Sequence, residues 1–275
     1  MGALIGASSG RGVVRGMSRS LHTSMAVAAL AGAALIAGCG SGSHSSSAAK
    51  APRATTTAPP STTAATGSYN PKIDPAKFTS HITNRWFPLK PGTTMILKGS
   101  KDGTPQTHNT RITRRTRTIM GIPCVVVKDV VTDPNGVAEI AYDWYAQDDK
   151  GNVWYFGEST ADYAKGVVTS TKGSWEAGVD NAAPGIVMPA QPKPGPAFYQ
   201  EYRPGIAEDK GKVLAINKTV RVKAGTYRNV VVIRDTNPLD PTLVQHKWYA
   251  PGVGVVKSIR TGSSHTETSQ LVAVR

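Results

Sequence analysis

Cysteine is scarce in this chain of 275 residues, which contains only Cys39 and Cys124. Small domains that depend on disulfides carry many more cysteines, and a chain of this length can bury a sufficient core without them. Cys124 lies in the apolar run 122–127, a strand-like context that predicts a buried and unreactive thiol. The sequence therefore excludes a fold stapled by several disulfides.

Residue groupings that carry catalytic or metal chemistry are lacking in the expected folded part. No two of its histidines have the spacing of metal ligands, and neither a Gly-x-Ser-x-Gly elbow nor a Ser-x-x-Lys set is found there. We therefore predict no catalytic residue, no metal site and no cofactor. Eight acids are candidates for a carboxylate pair in space, as in glycoside hydrolysis, but they are interpreted as surface acids that balance a basic protein. They are Glu139, Asp143, Glu158, Asp162, Glu176, Asp180, Glu201 and Glu208.

No apolar run is long enough for a comfortable membrane span, which needs about 20 residues. The uncharged run 25–38 follows Arg19 and ends in Leu-Ile-Ala-Gly just before Cys39. A basic start, a short apolar middle and small residues before a cleavage point are typical of an export signal. The motif resembles the lipobox of bacterial lipoproteins. That resemblance implies cleavage before Cys39, a lipid on its sulfur, and an anchor on the extracytoplasmic face of the cell membrane. An ordinary secretory signal with an incidental cysteine is the alternative.

Composition then divides the chain into three parts. Residues 1–38 are the expected signal peptide, and residues 39–70 are a Ser-, Thr-, Ala- and Pro-rich tether that starts at the lipidated cysteine. Such a tether cannot bury enough apolar surface to offset its chain entropy. Residues 71–275 are expected to form a single folded domain.

Acidic residues are few, with 18 Asp and Glu against 32 Lys and Arg over the whole chain. The expected mature chain keeps 29 of those basic residues and all of the acids. Excess positive charge outside a membrane favours anionic headgroups or an anionic wall polymer as partners. Nucleic acid is not expected as a partner at that location.

Segments with helical periodicity are lacking after residue 70. Val, Ile, Thr, Tyr and Trp are frequent instead, and turn signals such as Asp133-Pro-Asn-Gly136 recur every 8 to 12 residues. Four landmarks also recur in the same order at nearly constant spacing, which indicates an internal duplication of about residues 88–158 and 191–262. They are Lys90-Pro-Gly92 and Lys193-Pro-Gly195, Met120-Gly121 and Ala224-Gly225, Val125-Val-Val-Lys-Asp129 and Val231-Val-Ile-Arg-Asp235, and Asp143-Trp-Tyr-Ala146 and Lys247-Trp-Tyr-Ala250.

These features predict an all-β domain, in which two related halves form a strongly curved antiparallel sheet or a partly closed barrel. The motifs resemble those of uncharacterised secreted lipoproteins of high-GC Gram-positive, actinobacterial type, over nearly all of residues 71–275. That resemblance implies no activity. In architecture alone, a lipidated curved sheet is also similar to half-barrel lipoproteins that carry acyl chains. The matching motifs include Trp86-Phe-Pro-Leu-Lys-Pro-Gly92, Asp143-Trp-Tyr-Ala146, Gly173-Ser-Trp-Glu-Ala-Gly178 and Trp248-Tyr-Ala-Pro-Gly252.

Aromatic and arginine side chains are the candidate binding residues. An inward-facing aromatic set could line an apolar ligand cavity, although core packing explains the same residues. Segment 173–196 interrupts the strand pattern and is a candidate lid, or alternatively a plug for one end of the barrel. Arg111, Arg115 and Arg117 form a candidate stripe for anionic surfaces, or else a solvated outer face. The candidate ligand-binding residues are Trp144, Tyr145, Trp154, Trp175, Met188, Tyr199, Trp248 and Tyr249.

The first functional hypothesis is therefore a lipid-anchored, non-enzymatic binding or carrier module for an apolar or amphipathic ligand, such as a lipid or glycolipid. It requires a cavity of a few hundred Å³. The second is a structural or interaction lipoprotein with a filled core and a basic or apolar patch that contacts a wall polymer or another exported protein. A hydrolase acting on wall or lipid substrates is the third, and it requires convergent titratable groups in one cleft.

Overall fold

The computed structural model describes residues 69–263 and 265–275. The predicted signal peptide, Cys39 and nearly all of the predicted tether lie outside these residues. Within the described ranges no helix is long and apolar enough to cross a membrane.

A single 3-10 turn, Pro75–Lys77, precedes the strands in the described part of the chain. The strands are β1 Phe78–Thr79, β2 Thr94–Lys101, β3 Thr104–Ile119, β4 Ile122–Asp133, β5 Gly136–Asp148, β6 Val153–Ala164, β7 Val167–Ser170, β8 Trp175–Glu176, β9 Ala183–Met188, β10 Phe198–Tyr199, β11 Glu201–Tyr202, β12 Lys210–Val222, β13 Gly225–Asn237, β14 Asp240–Ala250, β15 Gly254–Thr261 and β16 Thr266–Val274.

The strands form one antiparallel sheet that curves until its two ends meet. The order along it is β10-β12-β13-β14-β15-β16-β2-β3-β4-β5-β6-β9-β11. The end strands β10 and β11 are separated in sequence only by Gln200, so the segment 198–202 bonds to β12 on one side and to β9 on the other. The sheet is therefore nearly closed into a barrel, and the prediction of a strongly curved, all-β antiparallel sheet is confirmed.

Alternation along each strand sorts side chains between the interior and the outer face. On β4, Val125, Val127 and Asp129 share the inner face and are at most 3% exposed. The β4–β5 hairpin turns where the sequence predicted it, and the backbone N–H of Asn135 donates to Asp133 Oδ1 over 2.6 Å. Gly136 completes that turn with a φ of 112°, a conformation that favours glycine.

The aligned landmarks of the two halves occupy equivalent positions in the sheet. Strands β3 to β6 and β12 to β15 are each four consecutive, hairpin-connected neighbours. Val126 lies opposite Trp144 on β5, and Val232 lies opposite Trp248 on β14. The pairing with the next strand then shifts register directly after each of these tryptophans.

The segment 173–196 is more regular than the sequence suggested, because it contains β8 and β9, which both pair with β6. Strand β9 was not predicted, because it contains the Pro-Gly pair 184–185, which is typical of a turn. A Cβ on Gly185 would lie 2.4 Å from the backbone carbon of Gln200, so glycine lets the closing segment approach. Trp175 and Met188 are buried in the main apolar core. This part of the chain is thus integrated into the sheet.

Candidate functional site

Acidic side chains gather in the interior of the sheet. Seven acidic side chains, which are named at the end of this paragraph, are each at most 5% exposed. Three basic side chains, Lys101, Lys247 and Arg260, are buried with them. Four of the eight acids interpreted from sequence as surface residues are in this buried set, so that interpretation is wrong for Glu139, Asp143, Glu158 and Glu201. The acids of this interior group are Asp129, Glu139, Asp143, Glu158, Glu201, Asp209 and Asp235, and an eighth buried acid, Asp148, accepts hydrogen bonds within the β5–β6 turn.

Hydrogen bonds from aromatic side chains hold two of these acids. Tyr155 Oη donates to Asp143 Oδ1 over 2.8 Å, and Trp175 Nε1 donates to Glu201 Oε2 over 2.9 Å. Both carboxylate oxygens of Glu158, in contrast, have no hydrogen-bond partner among the described residues. The interior is therefore only partly satisfied by neutral donors.

Burial is the main cause of altered titration in this interior. The pKa of Asp143 is raised to about 8, first by burial and also by the nearby Asp129 carboxylate, against the opposing effects of the Tyr155 hydrogen bond and of Lys247. Burial and the Asp235 carboxylate also raise the pKa of Asp209 to about 8. The pKa of Glu158 is raised well above its usual range, first by burial and then by Asp143. Acids with such pKa values retain their protons near neutral pH.

A pocket of about 60 Å³ lies beside two of these carboxyl groups. Asp129 and Asp143 line it together with Thr110, and the rest of its wall is mainly apolar. Among the apolar lining residues are Leu89, Met95, Leu97, Val127 and Val255. The pocket is far smaller than a typical ligand site of about 300–1,000 Å³. It has room for a small group or the end of a chain.

The two halves differ in charge at this place. Asp129 and Asp235 are aligned, and so are Asp143 and Lys247. In the second half, Lys247 Nζ lies 3.0 Å from Asp235 Oδ2, with both side chains 3% exposed. The first half therefore has two carboxyl groups where the second half has an ion pair.

Four of the eight predicted ligand-binding residues, three of them aromatic, face the interior. Tyr145 and Tyr249 occupy equivalent inner positions, and Tyr145 stacks on Tyr155 with ring centroids 4.8 Å apart. Trp175 meets the same Tyr155 edge to face at 5.4 Å. Met188 is fully buried in the same apolar core. Tyr145 alone of the eight predicted ligand-binding residues lines the small pocket.

The remaining predicted residues lie in separate places. Trp144 is buried in the main apolar core and Trp248 is half-buried; Arg117 lies 4.5 Å above the ring of Trp144, and Lys257 lies 5.0 Å above that of Trp248. Trp154 Nε1 donates to a hairpin aspartate over 2.9 Å. The ring of Tyr199 lies 4.5 Å from that of Tyr69 in an aromatic group at the closing segment. The eight residues therefore do not form one site.

An open cleft of about 300 Å³ lies around Arg117, and the buried Glu158 and two of the predicted ligand-binding residues, Trp144 and Trp175, also line it. Arg117 Nη2 lies 2.6 Å from Glu176 Oε2, and Arg203 Nη2 lies 2.7 Å from Asp180 Oδ2. Both guanidinium groups are thus paired with acids. Arg111 and Arg115 are also exposed, but an irregularity between Ile112 and Thr116 interrupts the strand alternation on which the predicted stripe was based.

Basic residues dominate the outer surface. Among the described residues that are not buried, 24 are Lys or Arg and 10 are Asp or Glu. The same cross-strand row appears in both halves, because Arg111 lies opposite Lys128 and Lys212 lies opposite Arg234. Arg234 in turn lies opposite His246. Like-charged residues directly opposite each other destabilise a sheet.

Two other expectations concern metals and thiols. In the described part of the chain, no group of three or more His, Cys, Asp or Glu side chains is arranged to hold a metal ion. Cys124 is fully buried, as the sequence predicted, and burial raises its pKa to about 12.

Comparison with known proteins finds only weak structural likeness. No protein-family model matches the chain, and no curated protein matches it. A protein from Bacteroides fragilis, inferred to be exported and having a YmcC-like fold, is 16% identical with a TM-score of 0.41, covering 70% of this chain and 99% of that chain. An inferred lipoprotein from Parabacteroides distasonis is 15% identical with a TM-score of 0.37 and the same coverage.

Proposed function

We propose that this chain is an exported, lipid-anchored binding protein whose β domain contacts anionic polymers or headgroups of the cell envelope through its basic outer surface. The lipobox-like residues that end at Cys39 support export and anchoring. The observation that carries the binding role is the pair of cross-strand basic rows. It favours the interaction hypothesis over a carrier that would need a large cavity.

The cross-strand basic rows oppose folding by charge repulsion. Arg111 opposite Lys128, and Lys212 opposite Arg234, place like charges side by side on the outer face of both halves. Each arrangement opposes folding, and a neighbouring anion relieves it. Burial of acids strengthens the effect because it removes negative charge from the surface.

The anchor is tested by Cys39→Ser. Without its acyl chains the protein should move from the membrane fraction to the soluble or secreted fraction, as followed by immunoblotting of fractionated cells. Cys124→Ser is the matched control and should remain with the membrane. Equal membrane association of both variants would contradict lipid anchoring at Cys39.

The surface is tested with residues 69–275, vesicles of phosphatidylglycerol and soluble polyglycerol phosphate. We expect salt-sensitive binding to at least one of these probes and none to phosphatidylcholine vesicles. The pair Lys128→Gln and Arg234→Gln should weaken binding about thirty-fold, from about 1 kcal/mol per basic residue near an anionic surface. The exposed pair Lys72→Gln and Lys165→Gln is the control, and an equal loss with that pair would contradict a role for the rows.

A second candidate function is supported by the small pocket beside Asp129 and Asp143, whose apolar wall and polar end suit part of an amphipathic ligand. Native mass spectrometry of residues 69–275 from a membrane-rich host should then show a bound mass. Val255→Phe should remove that mass by filling the pocket, whereas the exposed control Val274→Phe should retain it. A clean apo mass before and after incubation with host lipids would contradict this candidate.

A further inference from the structure

We propose that the pocket beside Asp129 and Asp143 binds a small amine, with its ammonium group at the carboxylates and its short apolar tail against the pocket wall. This inference rests on the second candidate function and names its ligand class. It comes from the unequal charge of two otherwise matching places in the sheet.

The match between the two places extends to strand register. Val127 lies opposite Asp143, just as Ile233 lies opposite Lys247. Asp129 is two residues beyond Val127, so it is the diagonal neighbour of Asp143. The aligned Asp235 is two residues beyond Ile233 and is the diagonal neighbour of Lys247 in the same way. In the second half, that diagonal pair is an ion pair, with Lys247 Nζ 3.0 Å from Asp235 Oδ2, although neither Asp235 oxygen forms a hydrogen bond among the described residues.

The first half has a carboxyl group, Asp143, where the second half has that ammonium. Thr110 Oγ1 donates to Asp129 Oδ1 over 3.2 Å, but Asp129 Oδ2 has no hydrogen-bond partner among the described residues. The His108 ring is its ion-pair partner, but Nδ1 lies 3.9 Å from Oδ2, beyond hydrogen-bond distance. Asp129 is 1% exposed and lines the pocket, so a donor must enter through that pocket to reach it.

Pocket shape and charge then select the ligand. Near neutral pH the buried Asp143 retains its proton in the free protein, but a nearby cation favours the charged form of a carboxyl group. A bound ammonium group therefore displaces that proton and can donate to both carboxylates in charge-assisted hydrogen bonds, which are stronger than neutral ones. The apolar wall formed by Leu97, Val127 and Val255 excludes a phosphate ester next to that ammonium, so a free alkyl or aryl amine fits better than a lipid headgroup. The volume of about 60 Å³ limits the tail to a short one.

The test is calorimetric titration of the full-length chain, in a mild nonionic detergent, with n-butylammonium and the matched alcohol 1-butanol. We expect butylammonium to bind at least about ten-fold more tightly than butanol, because only the amine forms charge-assisted bonds. Asp143→Asn should weaken amine binding about ten-fold. The exposed control Asp149→Asn should not change it.

Asp143→Lys is the most decisive variant, because it places a lysine beside Asp129 as Lys247 lies beside Asp235 in the second half. The new ammonium should abolish butylammonium binding while circular dichroism shows a retained fold. Equal binding of amine and alcohol, blocked by Val255→Phe, would overturn the amine inference and leave the amphipathic-ligand candidate standing. Binding of neither probe would overturn both, and the proposed basic surface is measured independently of either result.

Discussion

The stability of this protein should fall as pH rises from 5 to 8. Asp143 and Asp209 each have a folded-state pKa of about 8, raised by burial from an unfolded value near 4. Between these values the folded state holds protons that the unfolded state has released. Stability conferred by such protons is therefore greatest at the acid end and is lost as pH rises. Each retained proton contributes a slope of about 1.4 kcal/mol per pH unit.

The raised pKa of His108 acts in the same direction. Burial lowers it, but the charges of Asp129 and Glu267 outweigh burial and raise it overall. A histidine with a raised folded pKa contributes stability below its unfolded pKa and loses it as pH rises through the folded one. Its contribution therefore adds to the decline caused by the two aspartates near neutral pH.

Urea unfolding of the full-length chain at pH 5, 6, 7 and 8, followed by tryptophan fluorescence, measures this slope. Asp143→Asn removes one titrating proton and should reduce the slope by about 1.4 kcal/mol per pH unit. Asp149→Asn, on an exposed turn, should leave the slope as it is. A free energy of unfolding that is constant or rises between pH 5 and 8 would refute the reasoning.

Two further substitutions test the buried ion pair and the sheet spacing. Lys247→Met should cost about 3–5 kcal/mol in the free energy of unfolding, because it leaves a buried carboxylate unpaired, whereas the half-buried Lys257→Met should cost under about 1 kcal/mol. Equal losses in urea unfolding would contradict the special role of the ion pair. Gly99→Ala should cost about 1–3 kcal/mol, because its Cβ would lie 1.7 Å from the backbone oxygen of Thr268. Gly195→Ala, whose nearest neighbour is 3.8 Å away, is the control, and its thermal unfolding midpoint should stay near that of the parent chain.

Strand alternation explains why the fold was predictable. The run Val125–Asp129 puts three residues on the inner face, and the Asn-Gly turn at 135–136 sets the next hairpin. Each of the recurring tryptophans lies under a cation, Arg117 over Trp144 and Lys257 over Trp248. These signals are local, so they can be read from the sequence without knowing how the sheet closes.

The acidic interior was missed because composition was given more weight than periodicity. Asp129 falls on the same face as Val125 and Val127, and Asp143 is two residues from the inward Tyr145. Following that alternation would have placed both acids inside the sheet. The spacing of the small pocket could not be predicted in the same way, because it depends on how β2, β5 and β15 approach across the curved sheet.

Because the acids are buried, the pH dependence of folding stability should differ from the pH dependence of binding to an anionic surface. The groups whose protons are lost between pH 5 and 8 lie inside, whereas the cross-strand rows outside are built on lysine and arginine, which keep their charge over this range. Raising the pH should therefore weaken the fold while leaving attraction to an anionic surface nearly constant until unfolding begins. If polymer binding instead followed the decline in stability from pH 5 onward, the interior acids would have to contribute to the contact. The proposed division between a titrating interior and a permanently basic exterior would then be wrong.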